Sequence, residues 1–507
     1  MISILMAFLL TLIIAHGSQF LLHRTLRPTG FSSTLLFQQS LAVSSIYLVI
    51  LMLTQRPFLS IQLTLSVLAV FLVVNAAKYK ALKEPLAFSD IYLYIQVVRH
   101  PRLFLPFLNI PLTLTAIVIG VALLYIAVRI EPAIHLSINT YLVLIVLLIA
   151  CITACRQLSL NAPLTFDLTE DIKQHGFYNN LLNYGFQSES TQQKQTLKQS
   201  IQRHTPFGKD TQQTNNRPNI ITIQSESFFD VRRLCIGVGK KTLQHFDELN
   251  SEALASGTLT VPAWGANTLR PEFAFLSGVD NMQLKHYRFN PYQYLHDTPT
   301  PTIASYLKSI GYHCIAIHPN SSAFFGRDKV FPLFGFDEFI DITDFDPTAI
   351  SGPYISDHAV GEKIEEIINQ YNNKQPLFIF VITMENHGPL HLESANAHDI
   401  KQHYHSTPPK QHNDLTVYLR HLHNADQMLK NLRDFLKSQQ QETLLCFYGD
   451  HVPSMPDIYS ELEFTDGRTD YLIWNNRQQH SQTGQSEPLS VHQLALTLLN
   501  TFRQSDG

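Results

Sequence analysis

Cysteine is scarce in this chain of 507 residues, and its spacing supports no structural role. Only five cysteines are present, and none of them forms a Cys-x-x-Cys pair. The sequence therefore indicates neither a disulfide scaffold nor a cysteine-based metal site. Cys151 and Cys155 lie in a long apolar stretch, while Cys314 and Cys446 lie in short apolar runs, where we expect small buried hydrophobic side chains. Cys235 is left without a role.

An excess of basic residues is also lacking in the larger part of the chain. The whole chain carries 37 Lys and Arg against 41 Asp and Glu, and residues 157–507 hold 27 of the basic and 38 of the acidic ones. Nucleic-acid binding needs a basic surface, so this acidic part argues against a nucleic-acid partner. The same acidity suits a site that collects cations.

The first 156 residues lack charge over long stretches. Five apolar stretches are each long enough to cross a bilayer, which takes about 20 residues. The stretches are residues 1–23, 28–55, 57–77, 103–128 and 132–155. Five in succession exceed any pattern of buried globular helices, so we predict a transmembrane domain of five helices over residues 1–156. The first stretch is not a signal peptide, because it has no basic start and further spans follow.

The charges of the loop between the third and fourth stretches bear on orientation. This loop carries five basic residues: Lys78, Lys80, Lys83, Arg99 and Arg102. The positive-inside rule would place the loop, and with it the C-terminal part of the chain, in the cytoplasm. The segment from Asn75 to Asp90 is interpreted either as a plain charged loop or as a site for a lipid phosphate.

The rest of the chain changes in character near residue 218. Residues 157–217 contain an amphipathic segment at 177–184, predicted to lie on the membrane surface, and a polar helix and flexible linker at 187–216. Beyond them, short apolar strands alternate with helices. The candidate strands are 219–224, 313–318, 377–383 and 443–448, and the candidate helices are 243–256, 271–277, 301–310, 360–371 and 416–438. This alternation predicts a mostly parallel sheet covered on both faces.

Two of the predicted strands end in side chains that can bind a metal ion. Glu226 follows the first strand, and Asp450 and His451 follow the last one, within the triplet Gly449-Asp450-His451. The carboxyl ends of strands in an open α/β sheet form the edge where sites are built. The oxygen and nitrogen donors suit Zn²⁺ or Mn²⁺, so we predict a divalent metal site, although charged residues at strand ends are often simply solvated.

Three further residues could act on a phosphate. Thr268 lies just before a predicted helix that begins near Pro271; it is either a plain N-cap or a nucleophile activated by a metal ion. His387 follows the third strand and is either a turn residue, a phosphate ligand or a proton donor to a leaving group. Arg327 either clamps a phosphate or pairs with the neighbouring Asp328 on the surface.

The order of these motifs resembles that of the lipoteichoic-acid-synthase-like phosphoglycerol transferases of the alkaline phosphatase/sulfatase superfamily. The resemblance covers nearly the whole chain and implies a polytopic helical membrane domain followed by an α/β sulfatase-like catalytic domain over residues 218–507. It implies that one divalent metal ion, Mn²⁺ or else Zn²⁺ or Mg²⁺, is held by four residues, with the threonine as nucleophile. These ligands are Glu226, Thr268, Asp450 and His451.

The resemblance also assigns a substrate site. Its Met-Glu-Asn-His motif ends here at His387, which is expected to be catalytic, and its substrate-binding His, aromatic residue and Arg fall on His318, Phe325 and Arg327. The loop with Glu-Pro-Leu between Asn75 and Asp90 matches as well. Two positions depart from the family pattern: Gly-Lys before the threonine is Ala266-Asn267 here, and a usual Trp is Phe325. Both departures concern the head group rather than the chemistry.

The function implied by the resemblance is the transfer of glycerol phosphate from phosphatidylglycerol to a cell-envelope glycan or glycolipid. The protein would be a monomer in the bacterial cytoplasmic membrane, with its catalytic domain outside the cytoplasm. This topology, which the resemblance implies, overrides the bias given by the positive-inside rule and makes the basic loop external. One alternative is a phosphoethanolamine transferase, and another is a phosphohydrolase or sulfatase, although a sulfatase needs Cys or Ser where Thr268 stands. A non-catalytic membrane sensor is the alternative of a different class, and the intact set of ligands argues against it.

Overall fold

The computed structural model describes residues 2–93, 110–208, 217–234, 237–371, 375–410, 412–477 and 486–504. Two compact units are present, Met1–Lys194 and Gln195–Gly507. The predicted boundaries at residues 156 and 217 remain predictions, because compactness alone does not mark where a membrane ends. Cys235 and the last part of the predicted linker, residues 209–216, lie outside the described residues.

Apolar helices dominate the first unit. The helices are α1 (Ile2–Gly17), α2 (Ser33–Thr54), α3 (Pro57–Leu82), α4 (Ile110–Ile130), α5 (Ile138–Leu160), α6 (Leu168–His175), α7 (Phe177–Ser188) and α8 (Thr191–His204), which ends in the second unit. Among the described residues, four helices are long and apolar enough to cross a membrane: α2, α3, α5 and the part of α4 from Thr113 to Ile130. Helix α1 has 16 residues, fewer than the roughly 20 that a span requires. The predicted span over residues 1–23, which contains α1, therefore stays a prediction.

Lys78 closes the charged loop that follows α3. Its Nζ lies 2.7 Å from Oε1 of Glu84 and 2.6 Å from Oδ2 of Asp90. Asn75 Oδ1 accepts a hydrogen bond of 2.9 Å from the backbone N–H of Leu86. Because two carboxylates already compensate the ammonium of Lys78, this geometry favours a structural loop over a phosphate site. The two arginines of the loop lie outside the described residues.

Helix α7, the predicted membrane-surface segment, packs inside the first unit. Its Asn179 amide donates to the carbonyl oxygen of Leu35 at 3.0 Å, and Asn183 Oδ1 accepts from Gln38 Nε2 at 2.7 Å. Both asparagines are buried, and residues of α2 bind one atom of each amide, while Asn179 Oδ1 and Asn183 Nδ2 have no hydrogen-bond partner among the described residues. The predicted position of α7 at the membrane surface stays a prediction.

The second unit alternates strands with helices, as the sequence predicts. Its strands are β1 (Asn219–Ser225), β2 (Ala255–Thr260), β3 (His313–Ile317), β4 (Glu338–Ile340), β5 (Ile350–Ser351), β6 (Tyr354–Ile355), β7 (Leu377–Ile382), β8 (Thr443–Gly449), β9 (Thr469–Asn475) and β10 (Leu489–Ser490). Its helices after α8 are α9 (Gln244–Glu252), α10 (Leu269–Ser277), α11 (Ile303–Ser309), α12 (Arg327–Phe334), α13 (Asp357–Tyr371), α14 (Ala397–His403), α15 (Asn413–Ser438), α16 (Pro456–Glu461) and α17 (Val491–Gln504).

One large sheet organises this unit. Its strand order is β10-β2-β9-β8-β1-β7-β3-β4, and the strands from β8 to β4 are parallel. Strand β9 pairs antiparallel with both β8 and β2. The four predicted strands are thus the central strands, and the mostly parallel sheet is confirmed. The predicted helix at 243–256 ends earlier, at Glu252, because β2 pairs with β9 from Ala255 onward.

Both faces of the sheet are buried, which explains why its central strands are continuously apolar. Alternate residues such as Ile221 and Phe447 face a core built with α13 and α15. Their neighbours along the strands face a second core built with α10, α11 and α17. Cys314 and Cys446 are buried in this second core as small apolar side chains, as predicted, and burial raises their pKa values.

Candidate metal centre and active site

The register of the central strands brings the predicted metal ligands together. Strand β1 lies between β7 and β8, and Ser225, its last residue, is opposite Gly449, the last residue of β8. Glu226 and Asp450 are the next residues of each chain segment, so they emerge side by side at the carboxyl edge of the sheet. The backbone N–H of Glu226 donates to Thr383 Oγ1 at 3.0 Å, which ties the same point to the end of β7.

Glu226, Asp450 and His451 form a buried cluster whose ligand atoms all lie within 4.8 Å of one another. His451 Nε2 lies 3.5 Å from Glu226 Oε1 and 3.4 Å from Asp450 Oδ2. Both His451 Nε2 and Asp450 Oδ2 are buried without a hydrogen-bond partner among the described residues. Leaving such atoms unsatisfied costs free energy, so their convergence fits a bound cation.

Neighbouring groups fix the two ligands whose free atoms face the cluster. Asp450 Oδ1 accepts hydrogen bonds of 2.8 Å from the backbone N–H groups of Ser227 and His451, which leaves Oδ2 directed to the site. His451 Nδ1 lies 3.0 Å from the carbonyl oxygen of Val452. Because a carbonyl only accepts, Nδ1 carries the proton and Nε2 keeps its lone pair, as in a metal-binding imidazole.

The electrostatics of the cluster also favour a cation. Burial raises the pKa of Glu226 to about 8, with a further contribution from the nearby Asp450 carboxylate. A carboxyl group with such a pKa is largely protonated at neutral pH when no cation is present. A divalent ion would replace that proton and stabilise both carboxylates together.

Thr268 faces the cluster instead of capping its helix. Its side chain makes no capping hydrogen bond, although it precedes α10 directly. Its hydroxyl donates to Glu226 Oε2 at 3.4 Å. Gly265 and Asn267 have positive φ angles of 70° and 74°, a left-handed backbone that turns the chain just before the threonine. The carbonyl oxygen of Thr268 accepts from Gln224 Nε2 at 3.2 Å, which holds this turn against β1.

Arg327 is buried and paired, not with Asp328 but with Glu272 in the first turn of α10. Arg327 Nε lies 3.0 Å from Glu272 Oε1, and Nη2 lies 2.7 Å from Oε2. Tyr292 also donates to Glu272 Oε1 at 2.7 Å. Nη1 of Arg327 has no hydrogen-bond partner among the described residues. One edge of the guanidinium is therefore available to a ligand, while its charge is largely compensated.

His318 and Phe325, which the resemblance assigns to the substrate, lie near Arg327. The Phe325 ring centroid is 5.3 Å from the Arg327 guanidinium carbon, and Phe325 itself has a positive φ of 59°. His318 Nδ1 lies 3.1 Å from the carbonyl oxygen of Ile382, so Nδ1 carries a proton. Burial, aided by the Arg327 charge, lowers the pKa of His318 well below its usual value. A neutral ring with Nε2 as acceptor suits a substrate hydroxyl better than a phosphate oxygen.

His387 is held by its own turn. Its Nδ1 lies 2.6 Å from the carbonyl oxygen of Gly388 and 3.3 Å from the hydroxyl of Tyr354. Burial lowers the pKa of His387, and the Gly388 carbonyl partly offsets this effect. The neutral ring therefore presents Nε2 as a proton acceptor, which favours a general base over the proton donor considered from the sequence.

Several residues of the site escaped sequence analysis. Glu272 and Tyr292 gave no signal because the pairing with Arg327 joins residues 55 positions apart. Glu385 binds His421 Nδ1 at 2.8 Å, and both side chains are buried. The Met-Glu-Asn-His motif could have pointed to Glu385. No motif in the sequence singles out His421, and only the fold shows that it is buried against Glu385.

Comparisons with known proteins agree with this geometry. The sulfatase family profile matches residues 218–504. A Rhizobium meliloti protein named for cyclic beta-1,2-glucan modification is 31% identical over 254 residues, covering 50% of this chain and 38% of that protein. The capsular polysaccharide biosynthesis protein RkpI of the same organism is 28% identical over 447 residues, covering 82% of this chain and 77% of the relative. This chain thus spans well under half of the first relative and about three quarters of the second.

A solved structure with both kinds of domain also matches. It is the integral membrane lipooligosaccharide phosphoethanolamine transferase A of Neisseria meningitidis, with a TM-score of 0.54 and 13% identity. The match covers 93% of this chain and 96% of that one. At this identity the likeness concerns the fold alone, a helical membrane domain joined to an α/β catalytic domain. Since the family profile covers more than half of the chain, this protein belongs to the sulfatase family.

Proposed function

We propose that this protein is a membrane-bound phosphoglycerol transferase. It would move glycerol phosphate from phosphatidylglycerol to a cell-envelope glycan or glycolipid, with Thr268 as the nucleophile. Glu226, Thr268, Asp450 and His451 would hold one divalent metal ion, and Mn²⁺ is the ion we propose. The catalytic unit would lie outside the cytoplasmic membrane and act as a monomer.

One observation carries the proposal: a hydroxyl that caps nothing lies beside a set of unsatisfied metal ligands. Thr268 Oγ1 is 3.4 Å from Glu226, while Asp450 Oδ2 and His451 Nε2 converge there without partners among the described residues. A divalent metal bound to these residues would lower the pKa of the hydroxyl and stabilise charge on a phosphate. A structural N-cap would instead satisfy the first backbone N–H groups of α10.

The residues of the site divide the transfer into two balanced steps. In the first step the Thr268 oxygen forms a bond to phosphorus, the bond to the diacylglycerol oxygen breaks, and that oxygen takes up the proton lost by Thr268. In the second step an acceptor hydroxyl attacks phosphorus, and Thr268 leaves and regains a proton. His387 would carry the proton in both steps, because its Nε2 is an acceptor in the neutral ring.

The remaining residues would bind and orient the donor. The free edge of Arg327 would hold a phosphate oxygen, since Nη1 is the nitrogen that Glu272 leaves unused. Nε2 of His318 would accept from a glycerol hydroxyl, and the Phe325 ring would pack beside them. Anchoring in the membrane would place the site and the lipid head group in one plane, which raises their effective concentration.

The comparisons support transfer to a glycan acceptor. Both Rhizobium meliloti relatives carry names that concern polysaccharides, a cyclic glucan in one case and a capsule in the other. The motif order shared with lipoteichoic-acid-synthase-like enzymes supports glycerol phosphate as the group transferred. A phosphoethanolamine transferase and a phosphohydrolase are the alternatives, and the experiment below separates all three.

Mass spectrometry of the intact full-length protein tests the proposal. Wild type and Thr268→Ala are incubated with Mn²⁺ and phosphatidylglycerol or phosphatidylethanolamine, without an acceptor, and quenched in acid at short times. We expect a glycerophosphoryl adduct on the wild type alone, and only from phosphatidylglycerol. An adduct only from phosphatidylethanolamine would establish the alternative transferase, and an adduct on both proteins would rule out Thr268. Release of head group to water, unaffected by added glycan, would indicate a phosphohydrolase.

A further inference from the structure

Two buried side chains beside His387 have no hydrogen-bond partner for any of their polar atoms. Both carboxyl oxygens of Asp357 and both amide atoms of Asn386 are unsatisfied among the described residues. Asp357 is 1% exposed and Asn386 is 3% exposed. Burying a polar group without a partner costs about 1–3 kcal/mol, so native proteins rarely leave two such groups together.

Hydrogen bonds hold the two chain segments that carry these residues next to each other. The backbone N–H of Asp357, at the start of α13, donates to Glu385 Oε2 at 2.7 Å. Three residues earlier, the hydroxyl of Tyr354 donates to the carbonyl oxygen of Gly388 at 3.1 Å. The segment 354–357 therefore lies along the segment 385–388, which holds both Asn386 and His387.

The location adjoins the metal centre. Thr383, three residues before Asn386, accepts a hydrogen bond of 3.0 Å from the backbone N–H of Glu226 through its Oγ1. Burial and the Glu385 carboxylate raise the pKa of Asp357 well above its ordinary value, which favours a neutral carboxyl group with an O–H donor and a carbonyl acceptor. The amide of Asn386 likewise offers two N–H donors and an acceptor. A hydroxyl group, which both donates and accepts, complements this pair.

We propose that Asp357 and Asn386 form a subsite for a hydroxyl-bearing group, the polyol part of a substrate that reacts at the metal centre. The proposal rests on the proposed function and adds two specificity-determining residues to it. The shared chemistry is that of vicinal hydroxyls, which both the glycerol of the donor and a sugar acceptor possess.

Thr222 provides a matched control. Its Oγ1 is also buried and without a partner among the described residues, yet it lies in the middle of β1, within the sheet and not at its edge. The comparison therefore separates the loss of an unsatisfied polar group from the loss of the subsite. The variants are Asp357→Leu, Asn386→Leu and Thr222→Val in the full-length protein, each checked for a wild-type thermal unfolding midpoint.

Selectivity for hydroxyls is the quantity to measure. In the donor arm, kcat/KM for phosphatidylglycerol is divided by kcat/KM for bis(4-nitrophenyl) phosphate, a diester without hydroxyls. In the acceptor arm, the nitrophenyl diester is the donor. The ratio measured there is the amount of product formed with glucose divided by the amount formed with water. We expect Asp357→Leu and Asn386→Leu each to lower at least one ratio about tenfold, the effect of one lost hydrogen bond, while Thr222→Val keeps both ratios.

The arm that changes identifies the source of the hydroxyls. Wild-type ratios in both arms for stable Asp357 and Asn386 variants would overturn the subsite and leave the proposed function intact. An equal fall for Thr222→Val would overturn it too, since the effect would then be structural. If wild type and Thr268→Ala cleave the nitrophenyl diester equally, the proposed function is wrong, and the proposed subsite is rejected together with it.

Discussion

The buried pair of Arg327 and Glu272 gives the sharpest test of how the site is held. Arg327 is 1% exposed and Glu272 is fully buried, and three hydrogen bonds of 2.7 to 3.2 Å join them. Glu272→Gln keeps the shape of the side chain but removes its charge. The guanidinium of Arg327 is then left buried without a counter-charge, and Tyr292 loses its anionic acceptor.

The expected loss follows from that geometry. Removing one partner of a buried ion pair costs about 3–5 kcal/mol, because the remaining charge stays desolvated. For a domain of this size, each kcal/mol lowers the unfolding midpoint by about 2–4 °C, so we expect a decrease of about 10 °C. The double variant Glu272→Met/Arg327→Met removes both charges and should regain most of the stability, since apolar replacements of buried pairs are often neutral.

Tryptophan fluorescence is a suited assay, because the two tryptophans of the chain, Trp264 and Trp474, both lie in the second unit. The unfolding midpoint of the full-length protein is followed for both variants and for Arg327→Met. The double variant should also show a KM for the lipid donor raised about tenfold or more, because Nη1 of Arg327 no longer meets the phosphate. A midpoint for Glu272→Gln within about 2 °C of wild type would refute the reasoning about the pair.

Three further predictions concern metal binding, pH and the loop after α3. Because its pKa is about 8, Glu226 must lose a proton when the metal binds. The Mn²⁺ affinity measured by calorimetry should therefore fall up to tenfold per pH unit below about pH 8. An Mn²⁺ affinity that does not change with pH would contradict this. Burial lowers the pKa of His421, but the hydrogen bonds that its ring donates to the Glu385 and Glu393 carboxylates raise it to about 9 from an ordinary 6.5. The stabilisation of the folded state by His421 is therefore complete below pH 6.5 and lost as pH rises through 9, and it amounts to about 3 kcal/mol at most. In denaturant unfolding, His421→Gln should reduce the decrease of the unfolding free energy between these pH values. Lys78→Met leaves the carboxylates of Glu84 and Asp90 without their cation and should destabilise the loop by about 1–3 kcal/mol. We expect chymotrypsin to cleave this loop faster in Lys78→Met than in Lys78→Arg. Equal cleavage rates would mean that the ion pairs are dispensable.

Local patterns in the sequence were sufficient for the architecture of the second unit and for the cluster of residues that could hold a metal ion. Continuous apolar runs mark parallel strands buried on both faces, and long uncharged stretches mark helices fit for a membrane. Glu226, Asp450 and His451 could be predicted together because the carboxyl ends of neighbouring parallel strands meet at one edge. Strands β1 and β8 are adjacent in the sheet, and their register places Ser225 opposite Gly449, so that Glu226 and Asp450 follow side by side.

Tertiary structure alone decided what the other side chains do. Thr268 could equally have been an N-cap, and only a left-handed turn before it directs the hydroxyl to Glu226. Arg327 pairs with a glutamate 55 residues away, and the tautomer of His387 depends on a carbonyl in its own turn. Such roles depend on distances across the fold and on burial, which set hydrogen bonds and pKa values. A sequence pattern specifies which groups are present, whereas packing specifies which atoms remain free to react.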